Sequence, residues 1–145
     1  MWPFSRRRYD QAAQEVGPDA ICEAFKEYEG VQWWPLDKMY LLLPERDGRD
    51  FGFKYWTDFG LGYRKEVWDC DEIAIRTLAD WMSGARKEGF EKQPAMGAVL
   101  LRCFGSSIWH IQGFGVFQER KLRFEPQTGE WDDFGGVERV GMLIR

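Results

Sequence analysis

The stretch "AMGAVLLRCFGSSIWHIQGFGVFQERKLRFEPQTGE", residues 95–130, decides how this chain is read. Its apolar residues fall in three runs separated by the short polar breaks "GSS" and "ERK". Apolar runs bounded by turn residues read as strands, and breaks this short close antiparallel hairpins. The reading is therefore a meander, with strands in "AMGAVLLRCF", "SSIWHIQGFGVFQ" and "KLRFEP". "GEWDDF" and "GGVERVGMLIR" supply material for a final strand.

Upstream the period changes from two to nearly four. In "EVWDCDEIAIRTLADWM" (66–82), Ile73, Ala74, Thr77, Leu78 and Trp81 form one helical stripe. Asp69 is placed to cap this helix, Glu72 follows as in a capping box, and Gly84 ends it. Cys70 then stands in the first turn. "DAICEAFKEYEG" (19–30) reads as an earlier helix capped by Asp19 and stopped by Gly30, with Ile21, Cys22, Phe25 and Tyr28 on its buried face. "YDQAAQEV" (9–16), before the Gly17-Pro18 break, reads as another. Between the helices, "KMYLLL" (38–43) predicts a strand, "PERDGRD" (44–50) a turn, and the residues beyond it a long aromatic loop. Helices first and a meander afterwards give the α+β class. One domain over 1–145 is expected, with N-terminal helices and a Cys-bearing helix packed on an antiparallel sheet, and a basic, partly flexible tail at 1–9.

Composition narrows the partners. The net charge of −4 disfavours non-specific nucleic-acid binding, since no basic surplus exists to displace counterions, and no specific nucleic-acid partner is expected. No run of eighteen apolar residues predicts a membrane span, and "MWPFSRRRY" lacks the apolar stretch of a secretory signal. Three cysteines without CxxC spacing, and a single histidine, predict no disulfide framework, no metal site and no cofactor. Eight Trp, eleven Phe and five Tyr exceed what a small core needs, so some rings are expected at a pocket or interface. Within "FGFKYWTDFGLGY" (51–63) such rings invite a sugar-stacking reading, with Asp58 accepting hydroxyls; a loop packed over a groove is the plainer expectation. The acids of "GEWDDF" read as a solvated turn, and Cys103 as a buried apolar residue.

One constellation carries chemistry. A thiolate is favoured at a helix N-terminus, which is where Cys70 falls, although Asp69, Asp71 and Glu72 oppose its ionisation. His110 is the chain's one imidazole. Glu125 ends the next strand, within reach of His110 across a hairpin, and is placed to orient the ring. The backbone N–H of Cys70, with Trp68 or Gln112, is the candidate oxyanion donor.

The order of "WDCDEIA", "WHIQ" and "FEPQTGE" resembles the transglutaminase-like branch of the papain-like cysteine enzymes. It is closest to small bacterial and bacteriophage proteins with C-D-[DE]-x-A, a later His and E-P-Q-T, some of them called lectin-like. The resemblance covers roughly residues 60–130 and implies a transglutaminase/papain-like core. It assigns Cys70 as nucleophile, His110 as base and Glu125 as orienting acid; Trp68, Trp109, Gln112 and Gln127 are the residues expected at the substrate. The implied activity is cysteine-dependent acyl transfer or amide hydrolysis. Ile111 departs from the small residue that usually follows the family's histidine. The alternative on the same fold is a non-catalytic phage accessory or virion structural or binding protein. Its partner would be a protein, peptide or glycan ligand, or further copies in a homo-oligomer or virion, and its location the bacterial cytoplasm or the virion.

Overall fold

A computed structural model describes residues 12–33, 35–58 and 70–145, with Cys70 described in its backbone alone. The basic cluster at 5–9, the Asp69 cap and residues 59–63 of the aromatic stretch lie outside the described residues.

The meander is the centre of the molecule. Strands β5 (Met96–Cys103), β6 (His110–Val116) and β7 (Lys121–Glu125) pair antiparallel in sequence, and β8 (Glu130–Asp132) continues the sheet at its edge. The final strand β9 (Val137–Ile144) does not extend this series. It crosses back to pair with β5, and β2 (Gln32–Trp33) joins it in parallel, giving the order β2-β9-β5-β6-β7-β8. A second sheet joins β1 (Gln14–Val16), β3 (Tyr40–Leu42) and β4 (Gln93–Pro94).

Three helices accompany the nine strands among the described residues: α1 (Pro18–Ala24), α2 (Glu45–Lys54) and α3 (Cys70–Lys87). The expected architecture of N-terminal helices is thereby corrected to one dominated by its sheets. Within the stretch 9–16 expected to be helical, Gln14–Val16 forms a strand because these residues pair with Leu42, Leu41 and Tyr40, and these contacts outweigh local helix preference; residues 9–11 lie outside the described residues. α1 is capped by Gly17 with Pro18 in its first turn, and it stops after Ala24, before the expected Gly30. Ile21 is buried on it, but Cys22 is exposed, contrary to the core position assigned to it. Beyond α1, Phe25, Tyr28 and Phe134 surround the Lys121 ammonium at 5.4–5.9 Å, and Glu27 pairs with it at 2.7 Å.

α2 replaces the expected turn at 44–50. Gly48 and Gly52, which look like turn signals, are packing positions inside a helix. A Cβ on Gly48 would stand 2.1 Å from the Phe117 ring, and one on Gly52 would stand 2.6 Å from the Trp131 ring. Phe117 is confined further by Gly115, where a Cβ would stand 2.4 Å from the same ring, and by Trp131, which packs edge-on. Gly48→Ala therefore sets overpacking of about 1–3 kcal/mol against a helix-propensity gain of about 1 kcal/mol. The expected net loss is about 1 kcal/mol, read from the urea midpoint at constant m-value. A stabilised variant would show that α2 has room to withdraw from Phe117.

α3 lies on the large sheet. Ile73, Ala74, Thr77, Leu78 and Trp81 are all buried. Ala74 and Leu78 pack with Ala98 and Ile111, while Trp81 joins Phe51, Leu122 and Phe124. The opposite face is covered by Ile21, Phe25 and Phe134. No helix among the described residues is long and apolar enough to cross a membrane.

Candidate functional site

His110 opens β6 and Glu125 closes β7. The pairing of Gly113 with Phe124 carries forward to place Glu125 opposite Gln112, a diagonal step from His110. The two side chains meet, with His110 Nε2 3.1 Å from Glu125 Oε1. When Nε2 carries the proton, the ring donates to the carboxylate and its tautomer is fixed.

Burial by itself would raise the Glu125 pKa. The hydrogen bond and charge of His110, the Gln127 backbone N–H and the Gln112 amide together outweigh that effect, and the carboxyl is held below its ordinary range. Arg123 fixes the neighbours. Its Nη1 donates to Gln112 Oε1 at 3.3 Å and lies 3.8 Å from Cys103 Sγ. Its Nε donates to the Asp133 carbonyl at 2.8 Å, and its Nη2 pairs with Asp132 at 3.3 Å. Arg123 thus ties Gln112, Cys103 and the 132–133 turn together.

Strand alternation divides the other expected site residues. Ile111 packs on Ala74 and Leu78, and a Cβ on Gly113 would stand 2.7 Å from Trp81, so these two positions face α3. His110 and Gln112 turn to the opposite face of the sheet. Trp109 lies beside Gly141 and near Leu100, whose side chain packs with the α3-facing cluster. It is 42% exposed, under the Arg102 guanidinium at 5.6 Å. The structure thus brings His110, Gln112, Glu125 and the Gln127 backbone together, and sets Trp109 apart from them. Cys70 begins α3, but its side chain, like all of Trp68, lies outside the described residues. Among the described residues, no group of three or more His, Cys, Asp or Glu is arranged to hold a metal ion.

Apolar side chains are exposed where β5 turns into β6: Phe104 at 65%, Ile108 at 73% and then Trp109. Phe53 on α2 is also exposed, at 60%. The aromatic surplus is therefore divided between a dense core and a few surface rings.

This sheet-dominated fold has counterparts among solved structures. No protein-family model and no curated protein matches the sequence. Among solved structures, one described as "PSL1a-E64 complex" superposes with a TM-score of 0.67 at 18% identity, over 90% of this chain and 50% of that one. A second is the Polyporus squamosus lectin bound to the human-type influenza-binding epitope Neu5Acα2-6Galβ1-4GlcNAc. It has a TM-score of 0.62 at 20% identity, over 90% of this chain and 49% of that one. The chain thus spans about half the length of each, and the likeness concerns the fold.

These matches overturn the transglutaminase-like resemblance. The papain-like core it implied, and the acyl-transfer or amide-hydrolase activity of a Cys70–His110–Glu125 triad, are corrected with it. A motif order that is local in sequence drew attention to a real contact, His110 with Glu125, but did not identify the protein class.

Proposed function

We propose that this chain is a non-catalytic binding domain whose ligand is a glycan. The supporting observation is the fold it shares, over nine-tenths of its length, with half of a lectin chain described in complex with a sialylated trisaccharide. The exposed rings agree with it. Trp109, held on one side by Gly141 and under Arg102, offers a fixed aromatic surface of the kind that stacks on the C–H face of a sugar. In this reading the His110–Glu125 pair, with Gln112 and Gln127, anchors the start of β6 from which Trp109 projects.

Titration of the isotopically labelled chain with Neu5Acα2-6Galβ1-4GlcNAc, followed by amide and indole NMR shifts, tests the reading. Saturable shifts are expected, with affinity falling about tenfold in Trp109→Ala, which corresponds to about 1.4 kcal/mol. Absence of saturable shifts with this sugar and with its uncharged disaccharide would overturn the glycan assignment.

A further inference from the structure

The outer face of α2 forms one wall of a shallow groove of about 430 Å³, lined by Arg49, Asp50, Phe53, Gly129, Glu130 and Trp131. The helix period creates it: Asp47, Gly48, Phe51 and Gly52 are buried, which leaves Arg49, Asp50 and Phe53 facing out. The turn after β7 forms the other wall. Gly129 has a φ of +77°, and a Cβ there would stand 2.7 Å from the Trp56 ring, so the wall presents bare backbone at this point.

Both aromatic rings are fixed from behind. Phe53 packs against Trp56 at 5.6 Å between centroids and turns its remaining surface to solvent. Trp131 is stacked on Trp81 at 5.8 Å with planes 6° apart. The Asp50 and Glu130 carboxylates are exposed, and neither side chain makes a hydrogen bond or ion pair with any described residue. Arg49 is half exposed and reaches Glu45 at only 3.4 Å, while Glu45 is held more closely by Arg120 at 2.8 Å.

We propose that this groove binds an uncharged pyranose, a second contact surface for the glycan proposed above. The inference rests on that reading and adds to it the site and the sugar class. The chemistry of the wall selects the ligand. A purely apolar ligand would strip water from two carboxylates and a guanidinium without replacing it. An anionic sugar would meet Asp50 and Glu130 at close range, and a cation would meet Arg49. A sugar hydroxyl donates and accepts at once, so it satisfies the carboxylates and the guanidinium together. The C–H face of the same ring lies against Phe53. A second groove continues along α2 past Arg46 toward Glu119, sharing Arg49 and Asp50, so the trough has room for more than one ring.

The test is an NMR titration of the labelled chain with Galβ1-4GlcNAc, repeated on Phe53→Ala and on the Asp50→Asn, Glu130→Gln double variant. All three positions are exposed, so folding is preserved. Saturable shifts are expected at Phe53, Gly129 and the Trp131 indole, lost in Phe53→Ala and weakened at least tenfold in the double variant. Saturable shifts confined to Trp109 and its neighbours would overturn the groove and leave the glycan-binding reading standing. Groove shifts that persist unchanged in both variants would also overturn it. Silence with both the disaccharide and the sialylated trisaccharide would overturn the two together.

Discussion

Trp81→Ala is expected to lower folding stability by about 3–5 kcal/mol, measured by urea unfolding. Trp81 is among the largest fully buried side chains, at 2% exposure, and it joins α3 to four other elements. Its ring stacks on Trp131 of β8, lies 5.4 Å from Phe124 of β7, and presses against the backbone of β6 at Gly113. Its Nε1–H donates to the Gly52 carbonyl of α2 at 2.9 Å. Alanine thus removes packing on both sides of α3 and leaves a buried carbonyl without a donor, which adds to the cavity cost. A domain of this kind has about 5–15 kcal/mol to lose, so the variant should unfold at much lower urea. Trp81→Phe keeps most of the ring and loses the N–H, for an expected cost of about 1–2 kcal/mol. If the alanine variant fell within about 1 kcal/mol of the wild type, the aromatic stack would not be the centre of the α3–sheet contact.

Trp81 also shows which parts of the fold were legible. Its helical stripe could be read because every member meets one neighbour, the sheet, and the spacing records that face directly. The three meander strands could be read for a similar reason, since their turns are short and their pairing is local. α2 could not. Its glycines are required by Phe117 and Trp131, which lie some sixty to eighty residues away, and nothing local distinguishes a packing glycine from a turn glycine. The strand at Gln14–Val16 was hidden in the same way, because its partner is β3. The return of β9 to pair with β5 is a choice of topology that alternation does not record.

The candidate site divides along the same line. His110 and Glu125 could be paired from sequence because one hairpin joins their strands, and the observed 3.1 Å contact needs only that register. Arg123 was visible as a charge, but its role required the positions of Gln112, Cys103 and Asp133 around it. The α2 groove was missed because Phe53 had been assigned to a loop and Trp131 to an acidic turn. The exposed ring within "FGFKYW" was noticed for sugar stacking; its partners became visible only once α2 and β8 were side by side.

Removing the Glu125 carboxylate is the second large effect, and its pH dependence identifies the cause. Glu125→Ala is expected to cost about 3 kcal/mol at pH 7, because His110 loses its charge-assisted partner in a half-buried setting. Burial opposes the charged carboxylate, yet His110, the Gln127 N–H and Gln112 together hold its folded pKa below the unfolded value. A carboxyl with a depressed folded pKa adds stability that is complete above the unfolded pKa of about 4.3 and disappears as pH falls through the lower folded value. The stability gap between wild type and Glu125→Ala should therefore narrow steadily as pH falls below about 4. Glu125→Gln keeps the shape and a hydrogen-bonding oxygen but cannot ionise, so it should lose less at pH 7 and narrow toward the wild type over the same acid range. Thermal melts of the three proteins from pH 7 to 3 separate charge from packing. A gap independent of pH would assign the contribution of Glu125 to shape alone, and the His110 contact would then be geometric rather than electrostatic.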